Sequence, residues 1–248
     1  MDVGLAALSL APGLALGSFL NVVAARLPLR RSIVSPGSAC MSCGTPLAWY
    51  DNVPLLSYAV LRGRCRHCGE RIPWRYPAVE ASTALLVAGA ALEFGWSWRF
   101  AIASAFLAVL VTVSATDLER RIIPNRVVVP ASVVLLAAQT ALHPSAEWAI
   151  AAVGAALFFL LAALAYPGGM GMGDVKLAFL LGAVLGRNVT VALLSGMIFA
   201  LVPSAYLLAR HGQRARKMAI PFGPFLALGG VLGLYAGHRI LHWYLRVL

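Results

Sequence analysis

Apolar stretches of roughly 17–25 residues, each long enough to cross a lipid bilayer, recur along the whole of this 248-residue chain. Little polar sequence separates them, since hydrophobic residues make up 60% of the chain and charged residues only 12%. Inside lipid, a spanning segment must satisfy its own backbone hydrogen bonds, which makes each one a helix. The expected fold is therefore an all-α integral membrane protein with about eight transmembrane helices, over residues 3–24, 78–94, 99–116, 127–142, 148–166, 175–186, 190–209 and 220–245. The sixth is short for a full crossing. The first has no basic flank and no small-residue cleavage pattern, so it reads as a retained span and not a removed signal.

The formal charge of +11 is placed unevenly. Sixteen of the 20 Lys and Arg residues fall within 25–77, 117–126, 167–176 and 210–219; the others are Arg99, Arg187, Arg239 and Arg246. The positive-inside rule puts the first set of loops in the cytoplasm and both termini outside. Basicity is thus an orientation signal, and nucleic acid is not an expected partner; the lipid bilayer is. Trp49, Tyr50, Trp74 and Tyr76 form no repeated aromatic–basic platform and read as interfacial anchors or small-domain core. The domain division that follows is a first transmembrane helix at 1–24, a cytoplasmic module at 25–77 and a polytopic membrane core at 78–248.

All four cysteines lie in that module, as Cys40-Met41-Ser42-Cys43 and Cys65-Arg66-His67-Cys68. A two-residue gap lets both sulfurs of a pair reach one ion, and Gly44 and Gly69 relieve the turns that follow. Two such pairs match a four-thiolate, zinc-ribbon-like site. A closed four-Cys site implies a structural zinc, and a reducing compartment disfavours disulfides.

Two acids sit where apolar segments meet basic or Gly-rich connections: Asp117, in Ala115-Thr116-Asp117-Leu118-Glu119-Arg120-Arg121, and Asp174, in Gly171-Met172-Gly173-Asp174-Val175-Lys176-Leu177. Taken singly, Asp117 could pair with Arg120 or Arg121, and Asp174 could cap a helix. Taken together, both fall at cytoplasmic ends of spans, and acids embedded in membrane sequence are costly enough to imply a task. The glycines ahead of Asp174 let backbone approach closely. Two neighbouring carboxylates cannot easily both ionise. One can then act as base on a water while its protonated partner polarises a peptide carbonyl.

These stretches resemble the prepilin peptidases, bacterial GxGD-type aspartic proteases of the inner membrane. The resemblance runs in order along essentially the whole chain. It includes Gly17-Ser18-Phe19-Leu20-Asn21-Val22-Val23, the two Cys knuckles, Asp51-Asn52-Val53-Pro54-Leu55-Leu56-Ser57-Tyr58, Arg75-Tyr76-Pro77 with Glu80, and Ile220-Pro221-Phe222-Gly223-Pro224-Phe225. Met41 departs from the family's frequent Pro after the first Cys. The resemblance implies that Asp117 and Asp174 are catalytic and that Cys40, Cys43, Cys65 and Cys68 bind zinc. It also implies cleavage of basic leaders from type IV prepilins and pseudopilins at the cytoplasmic face of the inner membrane. In two-activity members the new N-terminus is then methylated from S-adenosyl-methionine; the large cytoplasmic module goes with that activity, and a peptidase without it is the alternative. Gly171, Gly173, Pro221, Gly223 and Glu80 are candidates for contact with substrate, and Glu80 for a part in methylation. Asp51 and Glu70 are candidates for engaging the leader. No Rossmann fingerprint marks a donor site, and nothing sets an oligomeric state. A proton-coupled transporter would place its acids nearer the bilayer midplane and often carry internal repeats; neither is evident.

Overall fold

Helices form where the apolar pattern runs unbroken, and they end at Gly, Pro or charge. The computed structural model describes residues 3–166, 170–212 and 220–247. Among these the ordered elements are α1 (Val3–Arg26), α2 (Leu56–Val60), α3 (Arg75–Phe94), α4 (Trp98–Arg120), α5 (Asn125–Leu142), α6 (Glu147–Ala165), α7 (Met172–Leu185), α8 (Val189–His211), α9 (Gly223–Tyr235) and α10 (Gly237–Val247), joined by loops and short 3-10 turns. The chain divides into two compact units, Met1–Ala115 and Thr116–Leu248. Pro167, Gly168 and Gly169 of the Gly-rich approach, and the basic residues of 213–219, lie outside the described residues.

In the first unit, α1 and α3 pack through a small-residue stripe. Gly13 faces the Ala84 backbone and Gly17 faces that of Glu80, where an added Cβ would stand 2.7–2.8 Å from the opposing Cα atoms. Close backbone approach of this kind replaces the hydrophobic drive that lipid removes. Asn21 then ties the helices at one end, its Nδ2 donating to the Tyr76 carbonyl at 3.0 Å.

The second unit is likewise assembled on glycines. Gly182 of α7 lies against the Ala151 and Ala152 backbone of α6, and Gly229 of α9 against the Ala192 carbonyl of α8. Between α5 and α7, the buried Gln139 donates to the Val184 carbonyl at 2.9 Å. Replacing Gly229 by Ala is expected to destabilise the unit by about 2 kcal/mol or more, because the new methyl meets backbone that cannot rotate away. Gly154→Ala, at a position with nothing within 4 Å, should leave thermal unfolding in detergent unchanged or slightly raised. Equal melting of the two variants would contradict this packing.

Length and apolarity alone give six crossing helices among the described residues, or seven with the bent pair α9 and α10, because Met172–His211 counts as one 40-residue run. Contacts show that this run turns back. Gly186, at φ 55, breaks it after α7. Leu185 at the end of α7 and Ala192 near the start of α8 both touch Gly233 of α9. Farther along α8, Gly196 meets Phe225 and Leu226, near the start of α9. Helix α8 therefore returns antiparallel to α9, and the short sixth span and the seventh are two separate helices, as the apolar pattern indicates.

The final span differs from the sequence expectation. It is not one helix over 220–245: α9 and α10 meet at 74°. Gly237 at the corner fits against the Asn188 side chain, and α10 carries His238, Arg239, His242 and Arg246, which hydrocarbon excludes. With Trp243 and Tyr244 exposed, α10 has the composition of a helix lying in the membrane interface.

Candidate active site

In the second unit, the end of α4 and the start of α9 meet at one carboxylate. Asp117 lies in the last turn of α4, which closes at Arg121 in the left-handed region (φ 54). It is 6% exposed. Its Oδ2 accepts the Gly223 N–H, at the first residue of α9, at 2.9 Å. A free N–H at a helix start suits an anionic oxygen, and this bond fixes the rotamer of the acid. Gly223 is thereby placed at the acids; Pro221 lies two residues before it, outside the helix.

Asp174 is set by α7. The helix starts earlier than the expected 175, at Met172, so Asp174 is its third residue and not its cap. Gly171 occupies the cap position: its carbonyl accepts the Asp174 N–H at 3.0 Å, and its own N–H donates to Asp174 Oδ2 at 3.3 Å. Gly173 lies directly against Ile123, where a Cβ would stand 2.8 Å from that side chain. The second Gly of the motif is thus required by packing, whereas the first holds the carboxylate. Asp117 and Asp174 lie within electrostatic reach of each other, 57 positions apart in sequence. Beside them Lys176 Nζ donates to Asn125 Oδ1 at 2.9 Å, a contact that no pattern in the sequence announces.

In the first unit, each Cys pair forms the same small hairpin. Cys40 N–H bonds the Thr45 carbonyl at 3.0 Å and Gly44 N–H the Cys40 carbonyl at 2.9 Å; Cys65 with Glu70 and Gly69 with Cys65 repeat this at 2.8 and 3.0 Å. Gly44 and Gly69 both take φ 70. The four Sγ atoms lie within 4.8 Å of one another, and Cys40 Sγ to Cys68 Sγ is 3.8 Å. A tetrahedron with metal–sulfur bonds of about 2.3 Å has edges of about 3.8 Å, so the cluster could hold a metal ion. Asp51, a candidate for the leader, is instead taken by Arg66, with Nη2 to Oδ1 at 2.6 Å. That guanidinium holds the Asp51 carboxyl below the usual carboxylate range.

Glu80 lies in the first unit, on α3, and therefore belongs to a different unit from the acid pair. It is 9% exposed, and its Oε2 accepts the Leu55 N–H at 2.9 Å. The Leu55 contact was not visible in the sequence. Leu55 has φ 58, a conformation that a non-glycine side chain gives no sign of adopting.

Similarity to known proteins also falls in two parts. Residues 12–94 match the model of the bacterial peptidase A24 N-terminal domain, and residues 101–205 that of the type IV leader peptidase family. The prepilin leader peptidase/N-methyltransferase of Bacillus subtilis (strain 168) is 36% identical over 95% of this chain and 96% of its own length. That of Aeromonas hydrophila is 34% identical over 94% and 91%. The Myxococcus xanthus protein of the same name is 41% identical over 78% of this chain and 59% of its own length. No solved structure matches the chain. Identity at this level along nearly the full length of relatives of one name, with both family models in order, means that the chain belongs to the type IV leader peptidase family.

Proposed function

We propose that this protein is a membrane-embedded aspartic endopeptidase that removes the leader from type IV prepilins and pseudopilins, and that it methylates the residue so exposed. The observation that carries the reading is that Asp117, held by the Gly223 N–H, and Asp174, held by the Gly171 N–H, lie within electrostatic reach of each other. One carboxylate takes a proton from a water, while the other, protonated, donates to the scissile carbonyl; the roles then reverse as the amine leaves. Gly223 restrains Asp117 and Gly171 restrains Asp174, so the oxygens stay aimed while protons move. The names of the two relatives matched along nearly their whole length support both activities.

The positive-inside distribution favours an inner-membrane protein with its acids at the cytoplasmic face. A prepilin, a hydrophobic helix with a short basic head, would present its leader junction there. Zinc suits the four-thiolate cluster, where it would hold the two hairpins together without joining the reaction. Chemically, S-adenosyl-methionine supplies an activated methyl group, and this chain must bind it beside a free amine.

The test is direct. Wild-type protein in lipid vesicles, given a prepilin and S-adenosyl-methionine, should yield a leader-free product with one added methyl at its N-terminus by mass spectrometry. Uncut substrate sinks the reading, and a cut but unmethylated product leaves the peptidase alone.

A further inference from the structure

A cavity of about 230 Å³ opens in the first unit, among the Cys hairpins and the adjoining ends of α1 and α3. Ser18, Asn21, Tyr58, Cys65 and Glu80 contribute to its lining. Glu80 is the unusual member. It is buried, its Oε2 accepts the Leu55 N–H, the Ser18 hydroxyl lies beside it, and among the described residues no Lys or Arg forms an ion pair with it. Arg71 shares the lining of the cavity, and three further arginines are directed elsewhere. Arg26 donates to the carbonyls of Ser32, Pro36 and Gly37; Arg66 pairs with Asp51; Arg75 stacks on Tyr76 at 4.9 Å. A buried carboxylate served by neutral donors alone is costly unless a cation joins it. Leu55 adds to that cost: its backbone is held at a strained positive φ while its N–H is given to this acid.

Resting on the two-activity reading, we propose that this cavity is the methyl-transfer site, that its ligands are a peptide α-ammonium and a sulfonium methyl donor, and that Glu80 receives the proton the amine must lose. Both ligands are cations, and an acid in the lining of the cavity offers them a counter-charge. An ammonium cannot attack; an amine can. The ammonium N–H proton passes to a Glu80 oxygen, and the freed nitrogen lone pair forms the new N–C bond. The methyl C–S bond breaks with its electron pair retained on sulfur, so the sulfonium becomes a neutral thioether. Charge and atoms balance without a redox partner. Metal at the hairpins would keep one wall of the cavity in place, since Cys40 and Cys65 are among its lining residues.

Two measurements on the full-length protein in vesicles decide this. Ultraviolet cross-linking of radiolabelled S-adenosyl-methionine, followed by peptide mapping, should label residues 18–80; label confined to 116–248 overturns the proposal. Glu80→Gln, which keeps an acceptor for Leu55, should retain that labelling while slowing methylation of a leader-free substrate by about 100-fold, with Glu80→Asp partly restoring it. Methylation by Glu80→Gln at the wild-type rate overturns the proposal alone. So does joint loss of labelling and transfer, which would make Glu80 structural. A wild-type protein that never methylates overturns the two-activity reading and this proposal with it.

Discussion

Asp117→Asn and Asp174→Asn are each expected to slow leader cleavage by about 1,000-fold or more, with the protein still folded in the membrane. The size follows from the division of labour. Asparagine can neither take a proton from water nor give one to a leaving amine, and groups that act as a unit fail together when one is lost. The double variant should therefore be little worse than either single one. Folding should survive because the asparagine side-chain oxygen can still accept the Gly223 N–H at position 117 or the Gly171 N–H at position 174. A gel-shift assay on a prepilin in vesicles reads the effect. Retention of a tenth of the wild-type rate by either single variant would mean that the two acids do not share the reaction.

The second large effect is expected at the cysteines. Cys65→Ser should abolish stoichiometric metal and loosen the module from residue 38 to 73. Structural zinc in such sites contributes about 10–16 kcal/mol of apparent binding energy, more than a small hairpin pair can replace. The module's described residues form no strand and, at its centre, one five-residue helix, α2, so little else holds it. Elemental analysis should find one zinc per wild-type chain and none in the variant, and limited proteolysis should cut the variant rapidly between the hairpins. Because Cys65 borders the cavity at Glu80, donor cross-linking should be lost as well. A metal-free variant that resists proteolysis as the wild type does would show the cluster to be dispensable for the fold.

Much of this architecture was legible in the residues, for identifiable reasons. Spans are readable because lipid imposes one rule on every backbone group. The knuckles are readable because metal geometry fixes short spacings. The short sixth span, which length alone would fuse with the seventh, was separable because Gly186 and Arg187 interrupt the apolar run. The corner at Ala236 was missed although its signal was present: His238, Arg239, His242 and Arg246 recur with helical spacing within a segment read as buried in lipid. The start of α7 was also misjudged, which shifted Asp174 from a capping position to the third residue. Other features left no local trace. The Gly223 N–H reaches Asp117 across 106 positions, and the role of Gly173 depends on Ile123, which only the fold brings beside it. Glu80 stood out as an acid among apolar residues, but its strained donor Leu55 did not.

The lengths of α7 and α9 bear on how water reaches a bond inside a membrane. They have 14 and 13 residues, about 20 Å at 1.5 Å per residue, against a hydrocarbon core of about 30 Å. Both start at the acids and both end beside Gly233. Most of α7 and much of α9 are buried against neighbouring helices and not against lipid, so hydrocarbon does not fill the shortfall of about 10 Å. On the proposed reading it leaves the two acids at the floor of a recess in the protein's own surface, into which hydrolytic solvent descends from the headgroup layer without a channel.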